Sequence, residues 1–181
     1  KIEEYYASKI QRDVNLKLLG YEECAPDFRM PPHTRSEYLI HYITQGRGTY
    51  ICEGAAYPIR QGDLFIIYPS QLASYHTSPE DLAFFLAGFT GDSADTLTEQ
   101  LGFSRQSPVH KLHPQYSIDE TIRTLAEHLE SVGFCNDFDN TVPHVLHLFQ
   151  HFAQSLQSLG KNSSEGEPDR SLEHIGKPNL I

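Results

Sequence analysis

The sequence predicts a mainly β domain with α elements appended, in which a small antiparallel barrel or sandwich is followed by two or three helices. Three observations carry this reading. Residues 38–69 are short apolar runs rich in β-branched and aromatic side chains, with Gly46, Gly48, Gly54 and Gly62 between them at hairpin spacing. Residues 82–89, LAFFLAGF, form a further continuous apolar run of strand length. From Asp92 onward the apolar residues recur at helical intervals instead.

In chain order, residues 1–15 are polar with scattered aromatics, Tyr5 and Tyr6 among them, and read as a loosely held arm. Residues 16–24 place Leu18, Leu19 and Tyr21 around Gly20, as in a strand entering the barrel. Pro26, Pro31 and Pro32 favour extended or turn backbone up to His33 and forbid a helix interior. Residues 38–44 and 49–52 are strands, and Gly46-Arg47-Gly48 between them reads as a hairpin turn. A phosphate loop is the weaker reading there, because no helix N-terminus follows to hold an anion. Residues 64–68 are almost wholly apolar, which suits a strand buried on both faces, and Pro69 ends it.

The helical part begins with residues 92–101, where Ala94, Leu97 and Leu101 share a face, Asp92 or Ser93 serves as N-cap and Gly102 as the stop. Residues 117–132 repeat the pattern through Ile118, Ile122, Leu125, Leu129 and Val132. Residues 141–159 carry Val142, Val145, Phe149, Phe152, Leu156 and Leu159 in alternating steps, a heptad-type seam. That seam packs either inside the chain or against a second copy. The expected organisation is an arm at 1–15, a barrel at 16–91, a helical segment at 92–160 and a linker at 161–181.

Composition narrows the function. The chain has 181 residues, with 14 Lys and Arg against 24 Asp and Glu and a formal net charge of −10. That balance argues against a nucleic-acid surface on this chain, since phosphate binding draws on clustered cations. Cys24, Cys52 and Cys135 form no CxxC pattern, so a disulfide framework or zinc knuckle is not expected and a reducing cytoplasm fits. No apolar run reaches membrane-spanning length, and no signal-peptide layout opens the chain. With Lys1 first and Leu180–Ile181 last, the chain is expected to be a piece of a longer protein.

The candidate chemistry is sparse. His144, His147 and His151 share a helical face, and a solvated polar face outranks a metal site because a third ligand and its support are missing. Cys24 and Cys52 read as small packed hydrophobes. The acidic pairs Glu22 with Glu23 and Glu80 with Asp81 read as solvent contacts, and no nucleophile triad is readable.

The layout of an Arg, then YLIHYITQGRG, YPIRQGDLFIIYPSQLASY and FFLAGFTG resembles the cupin sensing domain of AraC-type transcription regulators. It is most similar to those of the multiple sugar metabolism type, which control sugar-utilisation operons. The resemblance covers residues 19–91, and the later helices match in order and kind. It implies a cupin-like antiparallel β-barrel, a double-stranded β-helix, that binds a small carbohydrate effector. It further implies a homodimer built by the following helices, here through Val145, Phe149, Phe152 and Leu156. DNA would be bound only by a separate C-terminal domain, and no membrane partner is implied.

Cupins often hold a metal through an HxH pair, a Glu and a later His. By resemblance His33 stands at the first position, but Arg35, Leu39 and Ser74 fall at the others, so neither metal nor other cofactor is expected and binding outranks catalysis. A sugar requires aromatic faces and hydrogen-bonding groups in an apolar cavity. The resemblance puts Arg35 at the effector contact, with Arg29 as the alternative if the register slips, and Tyr75 at the barrel mouth. His41, Tyr42, Tyr50 and Tyr68 are further candidates, of which strand alternation lets only half face a cavity. Leu86 stands where the family commonly has Trp, leaving Phe84 or Phe85 to supply the aromatic face. The alternatives are a metal-dependent cupin isomerase or dioxygenase with a divergent site, and a structural dimerisation module with a filled barrel.

Overall fold

The structure is a computed structural model and describes residues 2–6, 14–111 and 127. In chain order the elements are β1 (Ile2–Tyr6), β2 (Asn15–Cys24), β3 (Arg29–His33), β4 (Tyr38–Cys52), β5 (Ala55–Arg60), β6 (Asp63–Ile67), β7 (Ala73–Thr90), α1 (Ala94–Gln100) and β8 (Val109–Lys111). All pairings are antiparallel, in the order β1-β2-β7-β4-β6-β8, with β3 on β7 and β5 on β4.

Two long strands, β4 and β7, pair with each other along most of their length and divide their outer edges between shorter partners. The first half of β4 takes β6 and its second half takes β5. The first half of β7 takes β3 and its second half takes β2. The sheet is therefore bent, and one face closes around Leu18, Cys24, Leu39, Ile43, Tyr50, Cys52, Ile59, Phe65, Phe84 and Leu86. The opposite face is also dry over much of β4, β6 and β7: Ile40, Leu64, Ile66, Ala87 and Phe89 are all at most 2% exposed. Burial on both faces explains the continuous apolar runs of β6 and of the second half of β7.

Gly46-Arg47-Gly48 departs from the hairpin turn expected of it. These residues lie inside β4, at register shifts between Ile43 and Gln45 and between Gly46 and Gly48. The glycines serve close approach: a Cβ on Gly46 would stand 1.8 Å from the carbonyl oxygen of Asp81, and one on Gly48 would stand 2.4 Å from that of His76. Gly46 also has φ +80°. This is a bulged bend where β4 crosses β7, with its neighbour's backbone filling the space of two side chains. The tight hairpin comes later, at Glu53-Gly54, where both residues have positive φ and Cys52 pairs with Ala55.

Other expectations shift at their edges. Residues 2–6, read as part of a loose arm, form β1 on β2. The strand read at 82–89 begins nine residues earlier, at Ala73. Residues 109–111, within the stretch read as helical, form β8 on β6, so the sheet continues past residue 91. α1 occupies the first predicted helix, with Ser93 at its N-cap and Gly102, φ +81°, just past its end. Of the expected helix at 117–132 only Glu127 is described, as helical, while the expected helix at 141–159, the seam of Val145, Phe149, Phe152 and Leu156, the His144, His147 and His151 face, Cys135 and the linker lie outside the described residues.

The crossing predicts an ordering of glycine substitutions. Gly46→Ala should lower the unfolding free energy by about 2 kcal/mol or more, combining a disfavoured backbone conformation with overpacking. Gly54→Ala, at φ +83° but with nothing within 4 Å of the added carbon, should cost only about 1–2 kcal/mol. Urea denaturation of the two variants checks the order.

Candidate ligand-binding site

Parity along the strands decides which side chains face the barrel interior. His41 lies opposite Phe65 on β6 and Leu86 on β7, while Tyr50 lies opposite Tyr75. On β2, Glu22 lies opposite Phe84 and Gly20 opposite Leu86. Residues directly opposite share a face, so Glu22, His41, Tyr50, Phe65, Tyr75, Phe84 and Leu86 all project inward.

Their rings form a continuous packed wall. His41 stacks on Phe65 with centroids 4.1 Å apart and planes 5° from parallel, and it meets Phe84 edge-on at 5.1 Å. Phe65 also stacks on Tyr50 at 4.6 Å. Tyr75 meets Phe84 at 5.5 Å in a T-shaped contact. The Tyr50 hydroxyl is committed to the wall, donating to the carbonyl oxygen of Ile66 at 2.9 Å.

Polar groups are set into this wall. The Tyr75 hydroxyl donates to Glu22 Oε2 at 3.5 Å, and Cys24 Sγ lies 3.4 Å from Glu22 Oε1. Burial, followed by the nearby Glu22 carboxylate, pushes the Tyr75 phenol well above its ordinary range. The same two influences push the Cys24 thiol up to about 12, so Cys24 is a neutral thiol and no nucleophile. Burial, then the positive charge of Arg35 and then His33, lowers His41 to about 3. Its imidazole is therefore neutral at neutral pH. Two buried atoms here, Arg35 Nε and His41 Nδ1, meet no hydrogen-bond partner. Leaving a buried polar group unpaired costs about 1–3 kcal/mol.

The residues expected to contact an effector separate into two sets. Arg35, His41, Tyr50, Tyr75 and Leu86 belong to the inner face or its rim. Arg35 is half-buried there, with Nη1 3.5 Å from Glu37 Oε1. Tyr42 and Phe85 are paired with each other on the opposite face, across from Leu64 and Tyr21 respectively. Arg29 is exposed on that outer side too, opposite His76. Tyr68 turns away towards Tyr38 and the Arg105 guanidinium, which lies 5.0 Å from its ring centre. Glu22 went unrecognised as a site residue. It is 5% exposed and faces Tyr75, whereas Glu23 is exposed, so only the latter is a solvent contact. The alternation of Leu18, Gly20, Glu22 and Cys24 carried that signal. His33, matched by resemblance to a metal position, faces Pro31, with Nδ1 3.0 Å from its carbonyl oxygen. Among the described residues no three His, Cys, Asp or Glu side chains converge as metal ligands would.

His41 makes stability depend on pH. Its folded-state value lies below the unfolded value of 6.5, so the unfolded chain binds the extra proton between about pH 6.5 and about 3. Stability should fall as pH drops through that window, with a limiting slope of about 1.4 kcal/mol per pH unit for one proton. His41→Leu should flatten the dependence, leaving the share of His110, which burial also lowers. Denaturant titrations at several pH values check this.

With this geometry in place, comparison with known proteins identifies the domain. The family model described as the AraC-like ligand binding domain matches residues 15–173. The Msm operon regulatory protein of Streptococcus mutans is 22% identical over 100 residues, covering 54% of this chain. The matched stretch is 36% of that regulator, so the chain spans about a third of its relative's length. Solved structures with a similar barrel include YhaK from Escherichia coli, at 16% identity and TM-score 0.45 over 50% of this chain and 45% of that one. A cupin 2 conserved barrel protein from Salinispora arenicola matches at 17% identity and TM-score 0.42, over 53% of this chain and 80% of that one. The barrel is cupin-like, and the chain belongs to the family of AraC-like ligand-binding domains.

Proposed function

We propose that this domain senses a small polyhydroxylated effector, a sugar, for a transcription regulator of the AraC type. The observation that carries the reading is the pair of buried, unpartnered nitrogens, Arg35 Nε and His41 Nδ1, beside the Glu22–Tyr75 contact. A sugar presents hydroxyls that both donate and accept, together with C–H faces that pack on rings. Arg35 supplies donors only. Neutral His41 supplies its one unpartnered ring nitrogen, Glu22 accepts, and Phe84 belongs to the aromatic lining. Such a mixture suits a neutral polyol better than a simple ion.

In this reading effector binding is coupled to the position of the segments outside the barrel, and through them to DNA held by a C-terminal domain. The coupling requires a difference in effector affinity between two arrangements, whatever the absolute affinity. The protein acts as a cytoplasmic binding module and performs no reaction of its own. Two copies join through Val145, Phe149, Phe152 and Leu156.

The second reading is a barrel that serves only as a scaffold, and the tight Tyr50–Phe65–His41 stack favours it. A thermal-shift screen of mono- and oligosaccharides separates the two. Effector binding predicts stabilisation by one sugar class, with Arg35→Ala and Tyr75→Phe each reducing affinity by about tenfold or more, the scale of a lost hydrogen bond to a charged group. No response to any sugar, and no change of response in either variant, would leave the scaffold. For the dimer, Phe149→Glu with Phe152→Glu should give a folded monomer by light scattering, because charge buried at a seam is costly. An unchanged dimer would assign those rings to the chain's own core.

A further inference from the structure

On the outside of the barrel lies a concave site, a cleft of about 580 Å³ walled by β3, β4, β5, β7, the first residue of β6 and the end of β8. Its charge is opposite to that of the chain. Arg29, Arg47, Arg60 and Lys111 line it against two carboxylates, Asp27 and Asp63, on a molecule of formal net charge −10. Asp63 is 2% exposed and already engaged, accepting from the backbone N–H of Arg60 at 3.0 Å.

Strand register concentrates these cations. Arg47 and Arg60 are direct partners across β4 and β5. Like charges directly opposite on a sheet destabilise it. One row further along, Thr49 lies opposite both Pro58 on β5 and His76 on β7, and His76 lies opposite Arg29. Alternation puts Arg29, Arg47, Arg60 and His76 on the same outer face, whereas Lys111, directly opposite Asp63, has the parity of Val109 and Phe65 and lines the cleft at its end. The wall is held in place where Phe28 N donates to Thr77 Oγ1 at 2.9 Å and that hydroxyl donates to Ala25 O at 3.1 Å. Arg47 has one ion-pair partner, Glu80, at an exposed position where such a pair is worth little. Arg29 makes no ion pair among the described residues, while Arg60 and Lys111 share the electrostatic influence of the single buried carboxyl of Asp63, which lies directly opposite Lys111.

We propose that this cleft binds the phosphoryl group of a small metabolite, independently of the barrel interior. A phosphoryl group brings up to two negative charges and three acceptor oxygens, enough to bridge two facing guanidiniums, where a carboxylate would neutralise one. The concave shape and small-molecule size favour a terminal phosphate over a nucleic-acid backbone, which the chain's overall charge also repels.

The test is calorimetric titration of the 181-residue chain with phenyl phosphate, a monoester that carries no sugar hydroxyls, with inorganic phosphate and with a short DNA duplex, all at fixed ionic strength. The expected result is binding of phenyl phosphate that Arg60→Gln and Arg47→Gln each weaken by about tenfold or more and that Arg105→Gln, outside both sites, leaves unchanged. Inorganic phosphate should compete. In phosphate-free buffer both glutamine variants should melt no lower than the parent, since each removes one of two facing like charges. Equal affinity in parent and glutamine variants would mark an adventitious ion only and overturn the proposal. So would loss of phenyl phosphate binding in Arg35→Ala, which would move the phosphate into the barrel, or Arg60-dependent binding of the duplex without phenyl phosphate. A phosphate-free melting point that falls in both variants would make the arginine pair structural and likewise overturn it.

Discussion

The close crossing of β4 and β7 is the constraint on which the rest of the architecture depends. Each strand is too long to remain flat, and the bend is placed where the backbone of Asp81 and His76 occupies the space of side chains at Gly46 and Gly48. Because β2, β3, β5 and β6 all hang on the edges of these two strands, their positions follow from that single contact. So do the two surfaces described above. The bend turns one face into the barrel interior, and the bulge that forms it leaves Arg47 on the other face opposite Arg60.

Desolvation is the second organising force. The interior admits polar groups only in forms that low dielectric tolerates: a neutral imidazole stacked on Phe65, a protonated phenol and a protonated thiol. Glu22 is held where the Tyr75 hydroxyl can donate to it. On the outer cleft the balance is reversed, since exposed guanidiniums keep their hydration and their charge without penalty. One sheet thus presents a dry, nearly neutral lining and a wet, cationic groove a strand's thickness apart.

Much of this was legible in the sequence where pattern and physics coincide. The cluster of Leu18, Leu19 and Tyr21 around Gly20 marked β2, wholly apolar runs marked β6 and the second half of β7, and the capping and stop residues around α1 marked its ends. The Gly46-Arg47-Gly48 segment misled because glycine serves turns and close approach equally well, and only the partner strand tells them apart. β8 was hidden by its length of three residues, too short for any periodicity. Tyr42 and His41 are neighbours of similar character, and composition alone could not say which faces inward. The register with Phe65 and Leu64 does. Glu22 was missed because an acidic pair on a strand usually points to solvent, and parity had to overrule residue type.

Val109 sits directly across from Phe65 on β8 and packs against the same apolar cluster. The ring that stacks on His41 thus stands in a non-hydrogen-bonded pair with β8, flanked by the bond from Ile66 N to Pro108 O at 3.0 Å. Because side chains in such a pair stand closer together than in a hydrogen-bonded one, lateral movement of that ring would press directly on Val109.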